Sequence, residues 1–164
     1  MRLYNTLTRQ EEEFAPLRDD TVRMYACGLT VYARGHIGNF RYFVAIDVLR
    51  RVLKYVAGFP VRQVTNFTDV DDKINAQAAE EGVPISDIAD RYTVVYHADI
   101  EALGVLPPTI EPRATAHIDT IVAMIERLIE EDHAYPVEGH VLFHVPSFKA
   151  YGALSGRVRE DMIA

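Results

Sequence analysis

Three short segments hold the residues whose types and spacing could carry chemistry. Residues 27–32 begin with Cys27, the only cysteine of the chain; residues 36–39 place a histidine beside a glycine; and residues 66–72 contain one threonine and three aspartates. Each segment alone would be weak evidence. Their order and spacing together predict a nucleotide site with a thiolate beside it.

The segment from His36 to Asn39 follows a predicted strand and opens a predicted helix, as a phosphate site requires. The first turn of a helix presents unpaired N–H groups and the positive end of the helix dipole. Gly38 would let a flat base or ribose approach the backbone. His36 could donate a hydrogen bond to a phosphate oxygen whose charge builds in the transition state. The purely structural alternative is a loop histidine with Asn39 as a helix cap.

Cys27 ends the first predicted strand, beside that segment. A lone cysteine is usually a small buried hydrophobic residue. Here, however, Gly28 and Thr30 follow Cys27 in a predicted turn at the carboxyl end of the strand. A thiolate there could bind zinc, although three further ligands would be needed. Thr68, at the end of the next strand, could bond the amino or carboxylate group of a substrate as well as cap a helix. The remaining histidines show no ligand-type pairing and are interpreted as structural or surface residues: His97, His117, His133, His140 and His144.

The elements that must position these segments follow from hydrophobic periodicity. Residues 22–27 and 61–67 predict two strands, and residues 39–56 between them predict a helix with one apolar face. A strand, helix and strand in this order almost always form a right-handed parallel crossover. Its ligand site then lies beyond the carboxyl ends of the strands. We therefore predict an α/β fold with a parallel sheet flanked by helices.

Further elements are predicted downstream. Thr68 and Asp71 resemble a capping box, which predicts a short helix from about residue 69 to Gly82. Ser86 is predicted to cap a second helix that runs to about Leu103. The later expectations are a loop at 104–108, a helix over 116–132, a hairpin over 137–145 that turns at 138–139, and a tail over 155–164 without a convincing pattern.

Composition is that of an ordinary globular domain. A chain of 164 residues is long enough for a real core. No apolar run approaches the roughly 20 residues of a membrane helix, and the single cysteine leads us to expect a cytoplasmic location. The net charge of −7 is uneven, because residues 1–75 carry 11 Lys or Arg and 9 Asp or Glu, and residues 76–164 carry 6 and 15. The second half is thus a poor candidate for a nucleic-acid surface.

With these segments in place, the chain resembles the amino-terminal part of a cysteinyl-tRNA synthetase, a class I aminoacyl-tRNA synthetase. The resemblance covers nearly the whole chain. Residues 36–39 match the class I "HIGH" signature, with an asparagine where the motif has its last histidine, and members of this family use either residue there. The matching segments, in order, are residues 5–10, 24–32, 36–39, 66–73 and 111–115.

The resemblance implies a cysteine–tRNA ligase, which activates cysteine with ATP and Mg²⁺ and transfers it to tRNA(Cys). It implies that His36 and Asn39 are catalytic. The implied ATP-binding residues are Thr30, His36, Gly38 and Asn39. The implied cysteine-binding residues are Cys27, Gly28, Thr30 and Thr68. Cys27 would also be one ligand of a Zn²⁺ ion whose other ligands lie outside this chain, and a zinc–thiolate bond would distinguish cysteine from serine.

The resemblance also implies a domain organisation. Residues 1–105 would form the amino-terminal Rossmann half with the ATP and cysteine site, and residues 106–164 would begin the connective insertion. The second signature loop ("KMSKS") and the anticodon-binding region are expected beyond residue 164. We therefore expect this chain alone to be inactive or weakly active, and to self-associate through an exposed strand edge and apolar face. Two alternatives stay open: a stand-alone paralogue that adenylates cysteine, and a non-catalytic half of a split synthetase.

Overall fold

The structure, a computed structural model, describes residues 1–156 and divides the chain into two compact units. One unit is Ala15–Ala116, and the other combines Met1–Phe14 with the chain from His117 onward. The predicted domain boundary between residues 105 and 106 stays a prediction. The assignment of the later residues to a connective insertion stays a prediction.

The elements follow one another in a mixed order of strands and helices. The strands are β1 (Arg2–Asn5), β2 (Gln10–Glu13), β3 (Val22–Ala26), β4 (Val61–Thr65), β5 (Ala134–Val137) and β6 (His140–Phe143). The main helices are α1 (Ile37–Arg51), α2 (Asp72–Glu81), α3 (Ile85–Ala102) and α4 (Ile118–Glu130), and a π-helical turn (Val52–Val56) extends α1. Short 3₁₀ turns cover Ala114–His117 and Val145–Ser147.

A parallel βαβ crossover forms the centre of the Ala15–Ala116 unit. Strands β3 and β4 pair in parallel from Val22 opposite Val61 to Ala26 opposite Thr65, and α1 connects them. The α1 helix and its π turn end before Gly58, whose φ of 77° lies in the left-handed region that favours glycine. The predicted strand, helix and parallel strand are confirmed.

A third extended segment, over residues 109–114, lies along the other side of β4. The Thr65 N–H donates to the carbonyl oxygen of Ile110 at 3.0 Å, and the Phe67 N–H donates to that of Pro112 at 2.8 Å. Bridges pair Val64 with Ile110 and Phe67 with Arg113, both in parallel. Sequence reasoning did not anticipate this pairing, which makes the parallel arrangement three segments wide.

Helix α2 starts later than predicted. Its N-cap is Asp71, whose side chain accepts a hydrogen bond from the Lys73 N–H at 2.9 Å. The predicted capping box of Thr68 and Asp71 is wrong, because the Thr68 backbone is used in a bridge to Thr30. The predicted end of the helix is confirmed, since Gly82 follows α2 with a φ of 68°.

Helix α3 has a different N-cap from the predicted one. Pro84 takes the N-cap position without a side-chain hydrogen bond, and Ser86 lies inside the first turn, where its hydroxyl bonds Asp87 at 3.4 Å. The predicted capping role of Ser86 is therefore wrong. The predicted span is close, because the helix ends at Ala102 and a loop follows it.

The core of this unit lies where α1, α2 and α3 meet the sheet. Phe43, Tyr96 and Phe67 form a run of edge-to-face aromatic contacts, with ring centroids 5.2 and 5.3 Å apart. The other buried members are Val31, Ile74, Ala78, Ile88, Ala89 and Ile100. This packing holds the loops at the carboxyl ends of β3 and β4 against the start of α1.

The second unit contains two antiparallel hairpins and α4. The β5–β6 hairpin turns at Glu138 and Gly139, as predicted, and both residues have positive φ. It spans residues 134–143 and not the predicted 137–145. The β1–β2 hairpin, with Arg2 opposite Glu13, was not predicted. The patternless tail predicted over residues 155–164 lies mostly outside the described residues. Among residues 1–156, no helix is long and apolar enough to cross a membrane.

Candidate functional site

A hollow of about 290 Å³ lies beyond the carboxyl end of β3 and beside the start of α1. Its lining includes four residues of the predicted site: Gly28, Thr30, His36 and Asn39. The lining also includes residues that sequence reasoning missed: Leu29, Tyr32, Ala33, Arg34 and Lys73. The predicted residues Cys27, Gly38 and Thr68 do not line it, although each directly contacts or precedes a residue that does.

Backbone pairing continues past the ends of β3 and β4 and shapes this hollow. Thr30 and Thr68 form a parallel bridge, in which the Thr68 N–H donates to the Leu29 carbonyl and the Val31 N–H donates to the Thr68 carbonyl, both at 3.2 Å. The Thr68 hydroxyl accepts a long hydrogen bond of 3.4 Å from the Asn66 side chain. Thr30 and Thr68 are thus neighbours at adjacent strand ends.

At Gly28 the backbone after β3 comes very close to the backbone of Asn66, after β4. The Gly28 N–H donates to the Asn66 side-chain oxygen at 2.9 Å. A Cβ at this position would lie 1.4 Å from the Asn66 carbonyl oxygen, which is far inside any permitted contact. Only glycine therefore allows the two strand ends to meet here.

His36 and Asn39 form a capping box at the start of α1. The Gly38 N–H donates to Nδ1 of His36 at 3.1 Å, and the His36 N–H donates to the side-chain oxygen of Asn39 at 3.0 Å. Because Nδ1 accepts, the proton of the neutral imidazole is on Nε2. His36 therefore presents a donor at the hollow, while Asn39 stabilises the helix start from inside the first turn.

Two cationic residues, Arg34 and Lys73, line the hollow, and none of the carboxylates within residues 1–156 does. The Arg34 guanidinium makes two hydrogen bonds to the Asp99 carboxylate, at 3.0 and 2.6 Å. That pairing raises the pKa of Arg34 and lowers the pKa of Asp99. The Lys73 ammonium lies 4.9 Å from the ring centroid of Tyr32. Two cations and an imidazole donor next to a helix N-terminus suit an anionic ligand.

Cys27 is an exposed thiol beside this hollow. Its backbone hydrogen-bonds the Tyr42 hydroxyl, and burial, with a smaller electrostatic contribution from Cys27, raises the pKa of Tyr42. Within residues 1–156, no three His, Cys, Asp or Glu side chains lie close enough together to hold a metal ion. Cys27 supplies at most one ligand, so the described residues alone do not fit a zinc ion.

Comparison with protein families decides the affiliation of this chain. Residues 13–164 match the model for the tRNA synthetases class I (C) catalytic domain. The chain belongs to this family. The resemblance inferred from the signature segments is thereby confirmed, as is the prediction of a class I synthetase fold.

Two curated relatives of this class I (C) chain carry the same name, cysteine–tRNA ligase. The chain is 54% identical over 165 residues to the cysteine–tRNA ligase of Methylocella silvestris and 56% identical over 164 residues to that of Xanthomonas axonopodis pv. citri. Both matches cover 100% of this chain, but 37% and 34% of those proteins. The chain therefore spans about a third of the length of the relatives that it matches.

Solved structures agree on the fold. Two structures of Mycobacterium tuberculosis methionyl-tRNA synthetase, both with methionyl-adenylate, match with TM-scores of 0.55 and 0.59 at 19% and 20% identity. Each match covers 75% of this chain and less than a third of the other, at 28% and 29%. This level of identity supports the shared class I fold and nothing finer.

Proposed function

We propose that this chain forms the ATP- and cysteine-binding part of a cysteine–tRNA ligase. One observation carries the proposal: Gly28, Thr30, His36 and Asn39 line one hollow at the carboxyl end of a parallel strand, with Arg34 and Lys73 beside them. Ligands of parallel α/β folds bind at this end of the sheet. The name shared by the curated relatives supports cysteine as the amino acid.

The reaction that fits this site is the activation of an amino acid by ATP. A carboxylate oxygen of cysteine attacks the α-phosphorus of ATP, the bond to the β-phosphate bridging oxygen breaks, and pyrophosphate leaves with Mg²⁺. This chemistry depends on positioning and on the stabilisation of charge over the phosphates. The Nε2–H of His36 would donate to a phosphate oxygen in the transition state. Arg34 and Lys73 would add positive charge.

The cysteine substrate would lie on the side of the hollow nearest the strand ends. Gly28 lines that side where it packs against Asn66, and the neighbouring Thr30 and Thr68 would supply hydroxyl groups for the amino and carboxylate groups. Cys27 stays a predicted zinc ligand that would need three ligands from outside the described residues. With such further ligands, Cys27 would help to hold a soft metal centre, which prefers sulfur to oxygen.

Three further expectations stay predictions. Transfer to tRNA(Cys) belongs to the full-length protein. Self-association of this chain rests on apolar side chains that are exposed in the Ala15–Ala116 unit, such as Tyr25 and Val48, and the comparisons do not support it. A cytoplasmic location rests on the single cysteine.

Cysteine-dependent exchange of pyrophosphate into ATP, in the absence of tRNA, tests this proposal. We expect a full-length protein that carries residues 1–164 to catalyse the exchange with cysteine and not with serine. We expect the 164-residue chain alone to be at least about 10²-fold slower, because charge stabilisation from the rest of the catalytic domain would be missing. An absence of exchange in the full-length protein with zinc present would refute the proposal. An equal rate in the 164-residue chain would instead indicate a stand-alone cysteine-adenylating enzyme.

A further inference from the structure

A second cavity of about 430 Å³ lies in the Ala15–Ala116 unit, between α1, α3 and the middle of the sheet. It shares no lining residue with the hollow at the carboxyl end of β3. Its volume falls in the range of small-molecule sites, which are mostly apolar with a few placed polar groups. The apolar lining comes mainly from Phe43, Ile100, Val105 and Leu106.

One wall of this cavity is the loop over residues 104–108, and α1 holds that loop in place. The Arg51 guanidinium donates to the Gly104 carbonyl at 2.7 Å, and the Arg50 guanidinium donates to the Pro107 carbonyl at 2.7 Å. The Leu106 N–H donates to the Asp47 carboxylate at 3.2 Å. Because these hydrogen bonds between α1 and the loop fix the wall, the cavity is present without a ligand.

The inner end of the cavity carries a buried amide that is only partly satisfied. Gln63 is 7% exposed, and its Nε2 donates to the Thr65 hydroxyl at 3.1 Å. Its Oε1 is buried without a hydrogen-bond partner among the described residues. Such an oxygen favours a donor, because an unsatisfied buried acceptor is costly. The terminal torsion of a glutamine is broad, so the amide can turn toward a ligand at small cost.

The charged residues of the lining are all acidic apart from one paired histidine. Glu101 and Glu111 are present, and Nε2 of His97 lies 3.0 Å from the Glu111 carboxylate. Among the described residues, no Lys or Arg lines the cavity. Burial and the Glu111 charge raise the pKa of Tyr96, which therefore keeps its hydroxyl proton. This lining disfavours phosphates and carboxylates and attracts cations, in contrast with the cationic hollow at the strand ends.

We propose that this cavity is a second ligand site of the chain, for a compact organic amine with an apolar body and a hydroxyl group. The ammonium group would lie at Glu101 and Glu111, the body among Phe43, Ile100 and Leu106, and the hydroxyl at the Gln63 amide. The proposal is independent of the cysteine–tRNA ligase activity.

Three matched probes test the proposed chemistry with the ¹⁵N-labelled 164-residue chain. We expect tyramine to shift the amide resonances of residues 100–106 with a Kd of millimolar order. We expect 2-phenylethylamine, which lacks the hydroxyl, to bind about threefold to tenfold more weakly, and 3-(4-hydroxyphenyl)propionate to leave these resonances unchanged. Equal binding of the propionate, or no effect of tyramine at these residues, would overturn the proposal.

Variants separate a ligand in the cavity from one on the surface. Gln63→Leu should bring tyramine and 2-phenylethylamine to equal affinity, and Val105→Phe should abolish tyramine binding by filling the cavity. Val94→Phe, at a valine of α3 that is 69% exposed, is the matched control and should bind tyramine normally. If Val105→Phe loses the dispersed spectrum of a folded chain, Ile100→Phe takes its place. Tyramine binding that survives in a folded cavity-filling variant would contradict the proposed site.

Discussion

Gly28→Ala is expected to lower the free energy of unfolding of the chain by about 3 kcal/mol or more, the upper part of the range for overpacked sites. The added Cβ would lie 1.4 Å from the Asn66 carbonyl oxygen. The obstacle is backbone that is anchored by the Thr30–Thr68 bridge and by the hydrogen bond of the Gly28 N–H to Asn66, so no side-chain rotation relieves it. Urea unfolding, followed by far-UV circular dichroism, measures the change.

Gly35→Ala is the matched control for this prediction. A Cβ at Gly35 would come to 3.0 Å from the ring of Phe40, which is a side chain that can shift by a few tenths of an ångström. We expect this variant to lose about 1 kcal/mol or less. Similar losses for Gly28→Ala and Gly35→Ala would show that the strand ends are not held as closely as described.

His36→Ala is expected to reduce kcat for cysteine-dependent pyrophosphate exchange by about 10²–10³-fold in a full-length protein that carries this segment. The KM for ATP should change much less, because the Nε2–H donor acts mainly on charge that develops in the transition state. The same variant also removes the Nδ1 acceptor that caps α1. We therefore expect it to lower the free energy of unfolding by about 1 kcal/mol as well.

His36→Asn separates these two effects. Asparagine is a good helix N-cap, so stability should return to nearly that of the unsubstituted protein, while the exchange rate should stay as low as in His36→Ala. Ile37→Ala, at a neighbouring side chain that is 85% exposed, is the control and should leave the exchange rate unchanged. Near-normal exchange by His36→Asn would mean that the imidazole only caps the helix.

The sequence was most informative where one periodicity governs a whole element. The apolar face of residues 39–56 and the β-branched run over 61–67 were sufficient to predict the crossover between parallel strands. The third extended segment, over residues 109–114, was missed because it is short and contains Pro112, and because its sheet hydrogen bonds are made with distant residues of β4 and with Phe67. Pairing of this kind depends on tertiary contacts that local patterns do not record.

Helix starts were less predictable for a similar reason. Thr68 has the residue type of an N-cap, but its backbone is used by the bridge to Thr30, and Asp71 takes the cap instead. At α1 the cap is His36, a residue type that is uncommon at this position. Several neighbouring residues can serve as a cap, and packing of the whole unit decides which of them does.

In the candidate site too, local sequence patterns identified some residues, and only the folded structure revealed the others. Signature segments identified Gly28, Thr30, His36 and Asn39, and these residues line one hollow. Arg34 and Lys73 were missed as site residues because single basic residues carry no local pattern, although Arg34 lies between two signature segments and Lys73 ends a third. The second cavity could not be read from the sequence at all, since its lining comes from positions scattered between Phe43 and Glu111.

An ATP titration of the ¹⁵N-labelled 164-residue chain with Mg²⁺ tests the central claim most directly, because it asks whether the hollow at the strand ends binds the nucleotide. We expect the largest changes at the backbone amides of Gly28, Thr30, Gly38 and Asn39, with weaker binding at higher salt, since charge attracts the phosphates. Saturable shifts confined to another part of the described surface, with these four amides unmoved, would contradict the account.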